Sequence, residues 1–411
     1  MTRFQKLILS AACALSPLFA HAAGVALPQY EQFTLANGAQ VMLMPKSDVP
    51  LVSLNIRIRG GALLDQNGKY GAGALLAELM QKGAGKRNAQ QFAEAIDNAG
   101  GRLGMGSDLE SFQLSAEFLR EDAPLMVALA ADALQRPTLD ATEFGKVKER
   151  AVQNIIGNKD SDPRALIGTY GQAWLFRGHP YGRAVDGDET TLSAISLSDV
   201  QAAHHKLGGN RALIAVVGDF DAVQMKQLLK NAFGSWKAVP DALPEINAKA
   251  PETGRRVLLV DKPGATQSYF WLGNVGASRL DPQLPAQTVV NTVFGGRFTS
   301  MINTELRIKS GLSYGASSRL SRYSLPGAVS INSFTQTDTT GKALDLALET
   351  LTRLHREGIA GEMRDSAVNY VLGQYPPNLE TSPALANKLT ELALYGLVVM
   401  MWMPTEHASG R

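Results

Sequence analysis

A chain of 411 residues is longer than one ordinary hydrophobic core organises, which predicts two domains. With 45% hydrophobic and 19% charged residues, the composition excludes a disordered, collagenous or coiled-coil chain. A formal charge of only +2 argues against a nucleic-acid binder, and no later run reaches the roughly 18–20 apolar residues of a membrane helix.

Residues 1–22 read as a targeting leader. Arg3 and Lys6 supply a positive start, Leu7 to Phe19 an apolar stretch, and Ala20-His21-Ala22 a small-residue cleavage pattern. This predicts export to the periplasm. Cleavage would remove Arg3 and Lys6, bringing the formal charge to zero, and would remove Cys13, the only cysteine. The mature chain is then expected to have no disulfide, thiol nucleophile or cysteine metal ligand.

Beyond the leader, one order of elements occurs twice. In the first copy Val41 to Pro45 is a short strand and Leu51 to Ile58 a second, with a helical stretch from Gly73 to Gln81. In the second copy Val257 to Val260, Ser268 to Leu272 and Ala286 to Phe294 repeat that order. The strands Ser111 to Phe118 and Gly327 to Phe334 alternate in polarity. Each precedes an amphipathic helix, Ala123 to Leu134 or Lys342 to His355, and then a further helix, Thr142 to Ile156 or Ala360 to Gln374. The expected class is α+β: two repeated α/β sandwiches, each a mostly antiparallel sheet with helices on one face. The expected domains are 23–236 and 257–411. Trp236 to Arg256, with three prolines and little periodicity, marks the linker at 237–256. The first copy continues through a helix (Leu197 to Lys206) and a strand (Ala212 to Val217). The second stops at Leu394-Tyr395-Gly396-Leu397, and Val398 to Arg411 has no counterpart. A truncated or frameshifted second domain is expected.

Gly71 to Ala84, Gly-Ala-Gly-Ala-Leu-Leu-Ala-Glu-Leu-Met-Gln-Lys-Gly-Ala, resembles the zinc helix of the pitrilysin/insulinase (M16) metallopeptidases. There a glycine precedes His-x-x-Glu-His and a Lys-Gly pair follows. Aligned on Lys82-Gly83, this chain has Ala74, Ala77 and Glu78 at the positions of the two ligands and the base. Alanine has no ligand atom, and one glutamate does not hold catalytic zinc. The family's third ligand is a glutamate on a helix before an Asp-Pro turn. Here Lys148 to Ile155 precedes Asp162-Pro163, Gln153 and Asn154 stand where acids belong, and Glu149 lies one turn early. No metal site is expected in this chain. Glu78 is expected to pair with Lys82, four residues on.

Histidines supply no substitute. His204 and His205 are adjacent and diverge on a helix, His355 and His407 are isolated, and His179-Pro180-Tyr181-Gly182 reads as a histidine-stabilised turn.

A second resemblance covers Gly295-Gly296-Arg297-Phe298 through Leu306-Arg307 to Tyr314, similar to the family's C-terminal-domain signature. In active members the arginine and tyrosine bind substrate carbonyls and stabilise the tetrahedral intermediate, work suited to guanidinium and phenol donors. The resemblance implies these roles for Arg307 and Tyr314, with Gly295 and Gly296 beside the substrate. It implies an Arg–Tyr-type, non-catalytic subunit of the small two-domain bacterial members, paired as a heterodimer with a zinc-bearing paralogue on peptide substrates. The alternatives are a purely structural or peptide-binding homologue and, remotely, a serine hydrolase through Ser313. Gly311 to Gly315 fits G-x-S-x-G, but with the helix before and the strand after, the reverse of a nucleophile elbow.

Overall fold

The computed structural model describes residues 27–161 and 163–397. The expected leader, Asp162 and the tail beyond Leu397 lie outside the described residues.

The first half builds a six-stranded mixed sheet. Its strands are β1 (Glu31–Thr34), β2 (Gln40–Pro45), β3 (Leu51–Arg59), β6 (Arg102–Ser107), β7 (Ser111–Leu119) and β8 (Ala212–Gly218), in the order β1-β2-β8-β3-β7-β6. A short ribbon of β4 (Gly83–Ala84) and β5 (Arg87–Asn88) lies apart. Only the β2–β8 pairing is parallel. The intervening helices are α1 (Ala72–Leu79), α2 (Ala89–Asp97), α3 (Ala123–Gln135), α4 (Ala141–Ser161), α5 (Pro163–Leu175), α6 (Glu189–Ala194), α7 (Leu197–His204) and α8 (Ala222–Phe233). Val41, Leu43, Leu54, Ile56, Ile214 and Val216 point into one core with Leu75, Leu76, Leu79 and Leu129. Strand periodicity of two dictates this, since alternate residues share a face.

The second half has a three-stranded antiparallel sheet, β10-β11-β9, from β9 (Gln267–Val275), β10 (Ala316–Leu320) and β11 (Ala328–Gln336). Its helices are α9 (Leu284–Asn291), α10 (Met301–Asn303), α11 (Thr340–Glu357), α12 (Gly361–Gln374) and α13 (Ser382–Tyr395). Two π-helical turns, Thr292–Gly296 and Thr304–Lys309, flank α10. Phe270, Ile302, Leu306, Ile331 and Ala343 form its core.

Helices of the same half cover one face of each sheet, as expected, and the other face receives a helix from the opposite half. From the second half, α13 lays Leu385, Ala386 and Leu389 on Met42, Met44, Ala215 and Val217. This explains why β8 is buried along its whole length, Ala-Leu-Ile-Ala-Val-Val-Gly. Polar residues on that face of β3 find partners on the same helix. Thr390 donates to Asn55 at 2.6 Å, and Arg57 donates to Asn387 at 2.8 Å. Arg59 donates to the carbonyls of Leu394 and Ala393 at 2.6 and 2.9 Å. Reciprocally, α5 crosses onto the second sheet. Gly171 lies so close to Trp271 that a Cβ would come within 2.3 Å of the indole, and Leu175 and Phe176 pack with Val275 and Ala328. A buried node completes the union: Glu110 accepts from Tyr181 Oη at 2.7 Å and from the backbone N–H of Ser324 at 3.0 Å.

The strand expected at Val257 to Val260 does not form. Val257 and Leu259 are 82% and 88% exposed, and the segment joins no sheet. Its first-half counterpart, β2, is held by β8 on one side and β1 on the other. Among the described residues the second half has no equivalent of β8, so this segment has no ladder to enter and one edge of β9 is free. Strand propensity alone does not make a strand.

Candidate functional site

The lost metal helix and the Arg–Tyr turn belong to different sheets. Helix α1 starts at Gly71, whose φ of +96° requires glycine. Asp65 accepts from the N–H groups of Gly71 and Gly73 at 2.9 and 3.0 Å, satisfying the free donors of that end. Burial pushes the Asp65 carboxyl up to about 6, against the pull of those two hydrogen bonds. Leu75, Leu76 and Leu79 bury one side of α1, while Ala74 and Glu78 lie half-buried on the other.

Glu78 is engaged, but not by Lys82. Its carboxylate pairs with Arg150 of α4, the helix on which the family carries its third ligand. An ion pair thus links α1 and α4, the two helices that a metal bridges in active members. Gln153 and Asn154 are exposed on α4. Ala74 and Ala77 offer no donor atom and Glu78 is committed to a guanidinium, so these residues do not fit zinc. Among the described residues no cluster of three His, Cys, Asp or Glu side chains is arranged to hold a metal.

The histidine turn is as expected: His179 Nδ1 accepts from Tyr181 N at 3.0 Å, and Nε2 contacts the carbonyl of Asn247 at 2.8 Å. His204 contacts the carbonyl of Leu134 at 2.9 Å, and burial lowers its pKa.

Arg307 and Tyr314 come together. Arg307 sits in the second π-helical turn, anchored inside by Ile302 and Leu306, both fully buried. Such turns recur where a helix must present a functional side chain. Beneath it Glu305 accepts from Arg353 of α11 at 2.8 Å and from Lys309 at 3.0 Å. Burial opposes ionisation of Glu305, but these two cations outweigh it and hold the carboxyl below its ordinary value. The Arg307 guanidinium carbon lies 4.3 Å from the centroid of the Tyr314 ring and 4.8 Å from that of Phe298. Tyr314 and Phe298 are 75% and 61% exposed, so the group faces outward. In the sequence, the signal for Phe298 is its place directly after the Gly-Gly-Arg run.

Gly295 is buried against β10, where a Cβ would come within 2.4 Å of the Ser318 nitrogen; Gly296 is exposed. Gly295 lets the π-helical turn approach the strand. Ser313 is buried, with its hydroxyl donating to the carbonyl of Gly315 at 2.8 Å and its oxygen 3.0 Å from Ser333 Oγ. The π-helical turn precedes it and β10 follows, so it does not stand on a nucleophile elbow.

Two α/β halves that exchange helices, one with Ala74, Ala77 and Glu78 on α1 and the other with Arg307 beside an exposed Tyr314, define a metallopeptidase-like fold. The chain belongs to peptidase family M16. The insulinase (peptidase family M16) model matches residues 41–189, and that of the peptidase M16 inactive domain matches residues 194–370. An uncharacterised zinc protease of Mycobacterium leprae is 28% identical over 300 residues, 72% of this chain and 67% of that protein. The non-peptidase homologue YmxG of Helicobacter pylori is 23% identical over 354 residues, 85% and 80% of the two chains. Among solved structures, the peptidase M16 inactive domain from Pseudomonas fluorescens superposes with a TM-score of 0.81 at 22% identity, covering 90% of this chain and 89% of that one. A protease from Helicobacter pylori gives 0.83 at 21%, covering 90% of both.

Proposed function

We propose that this chain is the non-catalytic subunit of a periplasmic M16 zinc peptidase, lending Arg307 and Tyr314 to a zinc-bearing paralogue in a heterodimer. The observation that carries this reading is the contrast between the two sites. Every ligand position on α1 is without a free donor, whereas Arg307, half-buried, and Tyr314, exposed, stand together on a braced turn. A scaffold has no need of such a pair at its surface. In the reconstituted site zinc on the partner would supply the activated water, and Arg307 and Tyr314 would take the carbonyl of an extended peptide and the oxyanion that forms from it. Removing one oxyanion donor typically costs about 10²–10³ in kcat, which sets the scale for Arg307→Ala.

Co-expression with a paralogue bearing an intact His-x-x-Glu-His helix tests this directly. The pair is expected to cleave unfolded peptide while neither subunit does so alone, and Arg307→Ala is expected to lower turnover about 10²–10³-fold without preventing assembly. Zinc bound stoichiometrically by this chain alone, or full turnover with Arg307→Ala, refutes the reading. Export is tested by the mass of the envelope fraction, which should correspond to cleavage after Ala22.

A further inference from the structure

Two large aromatic rings left exposed around one cation are not explained by packing, because either would contribute more in a core. They are also held in advance. Asn303 is 4% exposed and divides its amide between the two sides of the group: Nδ2 donates to the carbonyl of Phe298 at 2.7 Å, and Oδ1 accepts from the N–H of Ala316 at 3.1 Å. On the Tyr314 side, Ser333 Oγ donates to the carbonyl of Gly315 at 2.9 Å and Thr335 Oγ1 to that of Leu312 at 2.6 Å. The backbone on both sides of Tyr314, and at Phe298, is therefore pinned to β10 and β11. Ordering costs are met in folding and not on binding.

The chemistry follows from the shape of the guanidinium. Its five N–H donors lie in its plane and none lies on its faces. Among the described residues no protein acceptor takes these donors, which leaves them for a ligand, and the Tyr314 and Phe298 rings lie 4.3 and 4.8 Å from the guanidinium carbon. Beside the donors the two rings present apolar surface.

We propose that Phe298 is a third substrate-contact residue. With Tyr314 it forms an aromatic wall that takes an uncharged apolar side chain of an extended peptide, while the edge of Arg307 takes the adjacent backbone carbonyl. Asn303 is the positioning residue that sets Phe298 against β10. This rests on the reading of Arg307 and Tyr314 as the peptide-binding pair of a heterodimer.

The test uses the full chain co-purified with its zinc-bearing partner. The probes are internally quenched peptides that differ at one position, leucine, alanine or aspartate, scanned through the residues flanking the cleaved bond. At the position served by the wall, Phe298→Ala is expected to lower kcat/KM for the leucine peptide about ten-fold and for the alanine peptide less than about two-fold, the scale of a lost apolar contact. Phe298→Tyr should retain the preference. Asn303→Asp keeps the acceptor for Ala316 and loses the donor to Phe298; it should raise KM for the leucine peptide several-fold with kcat retained. Equal losses on leucine and alanine peptides at every position, or no loss with Phe298→Ala, overturn the proposal. So does an aspartate preference that vanishes with Arg307→Ala, which would mean ionic recognition. If Arg307→Ala itself leaves all three peptides unaffected, the underlying reading fails and not the wall alone.

Discussion

Leu389→Ala probes the exchanged helices most directly. Leu389 belongs to the second half by sequence, yet it is 1% exposed on α13 among Met42, Met44, Ala215 and Val217 of the first sheet. Truncating a buried leucine removes its transfer free energy and leaves a cavity, typically 2–5 kcal/mol. The β2–β8 ladder cannot collapse far, because its opposite face is packed against α3 and α8, so about 3–4 kcal/mol is expected. Unfolding about 370 residues as one unit carries an entropy near 0.8 kcal/mol/K, so the midpoint should fall by about 4–5 °C. Differential scanning calorimetry should show one transition displaced as a whole. Hydrogen exchange should show amides of β2 and β8 losing protection together with those of α13. Two resolved transitions, with only one moved by the substitution, would refute the reasoning, for the halves would then fold independently.

The buried carboxyl of Asp65 predicts a pH effect of definite sign. Its folded pKa of about 6 lies above its ordinary value of 3.8, so the folded state keeps this proton after the unfolded chain has released it. The contribution of Asp65 is greatest below pH 4 and is lost as pH rises to about 6, an effect of roughly 2–3 kcal/mol. Denaturation midpoints of the wild type minus those of Asp65→Asn should fall across that window; a flat difference would exclude it. Glu110→Ala leaves Tyr181 Oη and the N–H of Ser324 without their acceptor and should cost about 2–4 kcal/mol in urea titrations, against little for an exposed glutamate such as Glu121. The free edge of β9 has nine residues without a charge or proline and should promote association as concentration rises. Sedimentation velocity should show Ser268→Lys reducing it, and unchanged association would place the contact elsewhere.

Much of this was legible in the sequence because local physics decided it. Alternation along Ser111 to Phe118 and Gly327 to Phe334 placed β7 and β11 within a residue or two, while it was the resemblance to a family signature that singled out Arg307 and Tyr314, which lie together. What was not legible depended on partners distant in the chain. Nothing in the residues of α5 and α13 says on which sheet these helices lie, so the reciprocal exchange was invisible. Val257 to Val260 has strand-forming residues, but the ladder it needs is a tertiary fact. Glu78 had Lys82 at the favoured local spacing, and Arg150, 72 residues away, outcompeted it.

Why one half could lose its chemistry while keeping its fold follows from where the ligand positions lie. On α1, packing is carried by Leu75, Leu76 and Leu79, and Ala74 and Glu78 face away from them. Replacing a metal ligand there removes a donor and creates no cavity. Alanine is also the best helix former, so the helix gains propensity where it loses function. The Glu78–Arg150 pair then adds what an exposed ion pair can, about 0–1 kcal/mol, between the same two helices. Arg307 and Tyr314 are equally dispensable to packing, since both lie outside the core that Ile302 and Leu306 anchor. The same freedom that let α1 lose its ligands would have let this turn lose its donors. Yet Asn303, Ser313, Ser333 and Thr335 remain in place to hold it, and four buried polar groups spent on an exposed turn are costly unless the turn is used. That bracing, more than the two side chains themselves, is the physical support for the role proposed for this turn.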